Sequence, residues 1–134
     1  SGSGKGSAQI DLTAINITGC GPPDRPQRNC LFQKGTNAQM TLPFIPAGPS
    51  SVVRTKVHGI LAGIPIPFPL PNEDGCSPAG GGLTCPLTPN QLVTYQTQLP
   101  VSKNYPSLSL KVRWQLEDEN KRDIVCIEFP VQLR

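Results

Sequence analysis

Hydrophobic residues recur at every second position along most of the chain. Ala38, Met40, Leu42 and Phe44 alternate with polar or turn residues, and Val53, Thr55 and Val57 alternate with Arg54, Lys56 and His58. Val93, Tyr95, Thr97 and Leu99 stand against Thr94, Gln96 and Gln98, and Leu108, Leu110, Val112, Trp114 and Leu116 against Ser109, Lys111, Arg113, Gln115 and Glu117. After a charged turn over residues 117–123, Val125, Ile127, Phe129, Val131 and Leu133 form one more apolar face. Period-two alternation is the signature of strands that bury one face. Ile10 and Leu12, followed by Ile15 and Ile17, predict an opening strand with a change of phase, read as a bulge. No internal repeat or heptad is present. The pattern gives six or seven strands, each needing a cover for its apolar side. Two antiparallel sheets packed face to face provide it, so the expected fold is all-β: a β-sandwich.

One segment departs from simple alternation. In Ile64-Pro65-Ile66-Pro67-Phe68-Pro69-Leu70-Pro71 proline takes every second place. Successive N–H groups of an extended chain point to opposite edges, so Pro65, Pro67 and Pro69 leave one edge without donors. Ile66, Phe68 and Leu70 keep theirs for a single neighbour, which makes this an edge strand or a polyproline-like rim. The same parity sends Ile64, Ile66, Phe68 and Leu70 to one side. Structurally, such a strand blocks edge-to-edge aggregation. Functionally, it supplies an apolar lip where two sheets part.

Composition agrees with a turn-rich β domain. Proline contributes 16 of 134 residues, about twice the usual share, which disfavours helical bundles and doubly wound α/β folds. The length fits one domain, taken as residues 8–134, with residues 1–7 (SGSGKGS) reading as a flexible linker, a cloning scar or a frayed native terminus. The absence of a secretory leader reads as a mature or engineered start. The most apolar stretch, residues 59–71, is too short and too proline-rich to cross a bilayer.

Candidate chemistry is sparse. His58 is the one histidine, on the polar face of its strand, and no nucleophile–base pair is apparent. Gly80-Gly81-Gly82 lacks the following Lys-Ser/Thr of a phosphate loop and reads as a flexible hairpin tip. The carboxylates Glu73/Asp74 and Glu117/Asp118/Glu119 fall in turns. No catalytic residue, metal site or cofactor is expected, and the protein is read as not an enzyme. A net charge of +3 with seven aromatics, none interleaved with a basic run, argues against nucleic-acid binding. Arg54, Lys56, Lys111, Arg113, Lys121 and Arg122 read as a solvated sheet face, with docking on an anionic membrane as the minor reading.

Five cysteines without a C-x-x-C pair fit two disulfides and a remainder in an oxidising compartment. Cys20 and Cys30 enclose a Gly/Pro-rich turn (Gly21-Pro22-Pro23-Asp24-Arg25-Pro26), and Cys76 and Cys85 clip the glycine tip. Cys126 shares the polar parity of Glu128 and Gln132, so it is expected to reach a partner outside the core or remain a thiol. Asn16-Ile17-Thr18 is a glycosylation sequon at Asn16, in keeping with that compartment.

VHGILAGIPIPFPLPNEDGC at residues 57–76, LPVSKNYPSLSL at 99–110 and VRWQLEDEN at 112–120 resemble the ML (lipid-recognition) family. The final VCIEFPVQL and the early C…NCLFQKG are similar too, so the likeness covers residues 9–134. It implies a seven-stranded immunoglobulin-like sandwich whose sheets part to hold one lipid, carried without covalent chemistry. By matching position, Phe68, Val101 and Tyr105, with Pro106 of the Tyr-Pro pair, line the mouth. Ile66, Leu110, Trp114 and Ile127 wall the interior, where ordinary sandwich core is the competing reading. The implied ligand is a cholesterol-like sterol. The alternatives are an extracellular carrier of fatty acids or semiochemicals and a recognition sandwich with a filled core. The implied partners are an anionic membrane surface and a membrane-bound sterol-accepting protein. The protein is expected as a monomer, secreted or in the endosomal or lysosomal lumen. One departure stands out. In the family a cysteine before Gly-Ser pairs with the position of Cys126; here Ser1-Gly2-Ser3 begins the chain, starting just past that cysteine or carrying serine in its place, so the resemblance implies a Cys126 that is unpaired or has lost its partner.

Overall fold

A computed structural model describes residues 6–22 and 29–134. Positions 1–5 of the expected amino-terminal linker lie outside the described residues, as do positions 23–28 of the turn between Cys20 and Cys30.

Among the described residues the chain forms nine strands: β1 (Gln9–Ile10), β2 (Asn16–Ile17), β3 (Cys30–Phe32), β4 (Thr36–Ile45), β5 (Arg54–Leu61), β6 (Ile64–Pro67), β7 (Val93–Val101), β8 (Ser109–Glu117) and β9 (Asp123–Leu133). One sheet has β4 at its centre, with β7 along one edge and β1 and β2 in succession along the other. The second sheet runs β3-β9-β8-β5-β6. Each apolar series points inward: Met40, Leu42 and Phe44 from β4, Tyr95 and Leu99 from β7, Val112, Trp114 and Leu116 from β8, all nearly inaccessible. Complete burial of a Leu- or Phe-sized side chain contributes roughly 1.5–3 kcal/mol, so this interior is what holds the two layers together.

Three details differ from the pattern-based expectation. The phase change after Leu12 is a short 3₁₀ turn, Leu12–Ala14, rather than a bulge. It starts where the Asp11 carboxylate accepts from the Thr13 amide (3.0 Å) and hydroxyl (2.6 Å), and β1 and β2 are one edge strand broken by it. The sheets are not wholly antiparallel: β3 pairs parallel to β9, with Cys30 opposite Val131 and Phe32 opposite Leu133. The chain crosses from β2 to the other layer and returns to β4 through Gly35, which lays β3 beside the last strand in the same direction. Gly80-Gly81-Gly82 is not a loose tip. Gly80 and Gly81 are buried, and a Cβ on Gly81 would lie 2.6 Å from the Gly75 carbonyl oxygen and 2.8 Å from the Tyr95 ring. Absence of a side chain lets this loop lie flat on the sandwich.

The charged β8–β9 turn is fixed by Asp118, whose carboxylate accepts from the amides of Asn120 (2.8 Å) and Arg122 (3.0 Å). Both expected disulfides, Cys20–Cys30 and Cys76–Cys85, are formed.

Candidate functional site

The two layers meet along two lateral seams, and these are built differently. At the β2/β3 seam the Leu31 amide donates to the Gly19 carbonyl at 2.7 Å, and the Cys20–Cys30 bridge lies beside it. The β6/β7 seam is closed only toward the β8–β9 turn. There the loop of residues 72–87 lies across it, with hydrogen bonds from Gly75 N to Val53 O (2.8 Å) and from Gln96 N to Gly81 O (3.0 Å). Toward the β5–β6 hairpin the same seam is lined by apolar side chains that are only partly covered.

Those side chains follow from the proline parity. β6 is the outermost strand of its sheet and pairs only with β5, His58 lying opposite Pro67 and Gly59 opposite Ile66. Phe68 extends the ladder by donating its amide to the Val57 carbonyl at 2.9 Å. Its ring covers Gly59 on the inner face: a Cβ on Gly59 would lie 3.0 Å from Phe68 Cε2 and 2.5 Å from Leu110 Cδ1. The Phe68 and Tyr105 rings meet edge to face, with centroids 5.3 Å apart and planes at 64°. Phe68, Tyr105 and Leu110 are all half-buried. Beyond them the hairpin overhangs the sandwich, leaving Leu61, Ile64 and Ile66 exposed by 38, 63 and 51%.

The expected site residues divide accordingly. Phe68, Tyr105 and Leu110 are brought together. Trp114 and Ile127 lie opposite one another on β8 and β9, deeper on the same inner face and buried. Ile66, expected in the interior, is half exposed on β6 opposite Gly59. Val101 is 3% exposed and lies in the other layer, its carbonyl accepting from the Gly35 amide at 2.6 Å. Pro106 is exposed next to Tyr105.

Two features escaped the sequence reading. The first is a polar cluster inside the sandwich. Thr55 from one sheet and Tyr95 from the other, both wholly buried, join their hydroxyls at 2.7 Å. Burial pushes the Tyr95 phenol above its ordinary range, while the Thr55 hydroxyl, the nearby Trp114 indole and Thr97 act in the opposite direction. Trp114 Nε1, close enough to favour the phenolate, nevertheless makes no hydrogen bond of good geometry. The signal available in the sequence was Thr55, a hydroxyl at an apolar-parity position. The second feature is a half-open pocket of about 430 Å³ at the β2/β3 seam, bordered by Thr18, Leu31, Gln33, Thr36 and Asn37.

The outer face of the five-stranded sheet carries the charged residues. Arg113 Nε binds the Glu128 carboxylate at 2.8 Å, and Lys56 lies 3.5 Å from Glu73. His58 is half-buried beside Arg113, its Nδ1 without a partner. Asn16 is exposed on β2. Cys126 does not follow its polar parity to the surface: it is 4% exposed. Residues 7 and 8 donate their amides to the carbonyls of Asp123 (3.1 Å) and Ile124 (3.0 Å), so the chain entering β1 runs against β9 and helps to cover it.

The molecule is thus a two-layer sandwich fastened by a disulfide along one seam, with an aromatic pair and an exposed apolar hairpin at the other. The chain belongs to the ML domain family, whose model matches residues 4–133. It is 36% identical over 128 residues to "NPC intracellular cholesterol transporter 2" of Danio rerio, covering 96% of this chain and 80% of that protein. It is also 36% identical over 129 residues to the homolog a of that transporter in Drosophila melanogaster, with 96 and 84% covered. Among solved structures, the Niemann-Pick type C2 protein from Japanese carpenter ant superposes with a TM-score of 0.80 at 26% identity, over 94% of this chain and 96% of that one.

Proposed function

We propose that the protein is a non-enzymatic carrier that takes up one cholesterol-like sterol between its sheets and hands it between membranes. The observation that carries this reading is the Phe68–Tyr105 pair over Gly59, half-buried at the one seam that lacks a covalent fastening. Displacing these two rings opens a path past Leu110 to the inner faces of β8 and β9. The likeness to proteins named as cholesterol transporters supports the ligand class.

The energetics need no polar anchor at the entrance. Burying about ten methylenes at ~0.8 kcal/mol each gives a gross ~8 kcal/mol. That is near the ~8.2 kcal/mol of micromolar binding, less what is lost to ordering. Leu61, Ile64 and Ile66 supply an apolar tip that enters a bilayer surface, and Lys56, Arg54 and Lys111 on the same sheet favour an anionic one. The two disulfides fit work in a secreted or endolysosomal setting, as a monomer.

The test is competition for a fluorescent sterol. Displacement by cholesterol at micromolar levels is the expected result; failure of cholesterol with displacement by palmitic acid assigns the carrier to fatty acids. No displacement by either, with no thermal shift, returns the molecule to a recognition sandwich with a filled core.

A further inference from the structure

The Trp114 indole is the most deeply set donor of the inner face. It is 1% exposed, lies opposite Val57 and Ile127, and its Nε1 has no hydrogen-bond partner. Tryptophan nitrogen is a donor only, and a buried donor without an acceptor is costly in a folded protein. The Tyr95 hydroxyl, bonded to Thr55 at 2.7 Å, is close enough for the indole to favour its phenolate but does not lie where it accepts from Nε1 in good geometry. Three polar side chains from both layers therefore converge at one depth in an otherwise apolar interior. Phenylalanine and valine would fill the same space without unmet polar groups.

The depth is informative. Along β8 the inner-face series runs Leu110, Val112, Trp114, so the indole sits four residues, about 13 Å, below the partly exposed Leu110. Val57, opposite Trp114, also carries the carbonyl that receives the Phe68 amide. The polar cluster thus lies deeper along the inner face than the Phe68–Tyr105 pair.

We infer that Trp114 Nε1, with the Tyr95 and Thr55 hydroxyls beside it, is a polar subsite for an oxygen on the leading end of the lipid. This rests on the carrier reading above and narrows its ligand class. The preferred guest has an acceptor oxygen at the end that enters first: a hydroxyl or carbonyl on a sterol tail, or a carboxyl of a fatty acid inserted head first. The bond formed is an N–H···O hydrogen bond; no covalent change takes place.

The experiment compares cholesterol, cholesterol bearing a hydroxyl on the last carbon of its side chain, and palmitic acid, each against the wild-type protein and Trp114→Phe. The inference expects at least one oxygen-ended probe to lose about tenfold more affinity for the variant than cholesterol loses. The hydroxylated sterol and the fatty acid are separate arms, so the source of the oxygen is read directly. Trp114 is the sole tryptophan, so wild-type fluorescence gives a second readout without a mutation. An indole N–H that gains an acceptor shifts its emission to the red, with the oxygen-ended probe and not with cholesterol. Equal losses for all probes, or no spectral difference between them, overturn the subsite and leave the carrier standing. Binding of no probe overturns both.

Discussion

Gly59 shows how one missing side chain shapes the proposed entrance. Its inner face is occupied by Phe68 and Leu110 at distances a Cβ would violate. Gly59→Ala keeps a strand-compatible backbone but displaces both side chains, and sterol affinity in the competition assay is expected to fall several-fold more than stability does. Phe68→Ala and Tyr105→Ala remove half-buried rings, so each is expected to lower melting only modestly, by about 1–2 kcal/mol, while reducing lipid uptake tenfold or more. Equal losses of uptake and stability would mark these rings as ordinary core. Tyr95 gives a pH-dependent expectation. Its proton is held more tightly in the folded state than in the unfolded chain, because burial disfavours the phenolate. The associated stability is complete below about pH 10, the unfolded value, and is lost as pH rises through the folded one. Denaturant titrations from pH 9 to 11.5 should show this decline, and Tyr95→Phe should flatten it at a cost of about 1–3 kcal/mol at neutral pH, since Thr55 loses its partner. Parity placed Tyr95 and Thr55 inside the sandwich; their contact belongs to the distance between two sheets, which no single strand encodes.

At the scale of elements, the proline-alternating strand was the most legible part of the chain. Missing N–H groups at Pro65 and Pro67 dictate a strand with one neighbour, and β6 has that one neighbour, β5. Parity also put Ile64, Ile66 and Phe68 on one side, but it could not say which of them the rest of the chain covers, and so Ile66 was assigned to an interior it does not reach. The parallel β3 and the buried Cys126 were hidden for a related reason. Both depend on where distant segments, β3 and residues 7–8, come to lie against β9. Cys20–Cys30 fastens the β2–β3 crossing, and its loss by Cys20→Ser/Cys30→Ser is expected to cost roughly 2.5–3 kcal/mol in chain entropy, read by urea unfolding under matched conditions. Restoring one donor to the outer edge with Pro67→Ala is expected to leave melting nearly unchanged and to raise aggregation on concentration, followed by light scattering.

For the whole molecule, a ligand that binds only the folded state raises stability by mass action, about 2.7 kcal/mol at a hundredfold excess over Kd. In a domain of this size that corresponds to a melting shift on the order of 10 °C. A sterol that competes in solution should produce that shift, and a filled-core sandwich should show none. The β-sandwich was legible from alternation, and the family from the likeness of the proline block and the motifs at 99–110 and 112–120. The seam without a disulfide was not, since it emerges from which edges are bridged and which are bare.

For the carrier proposed above, the unequal seams have a consequence for the range of cargo. A vessel latched along one flank and unlatched along the other would swell by swinging, without breaking its ladders, so guests of different girth would cost it little. Selectivity then has to come from chemistry met at full depth, while the speed of loading is governed by how often the free flank gapes.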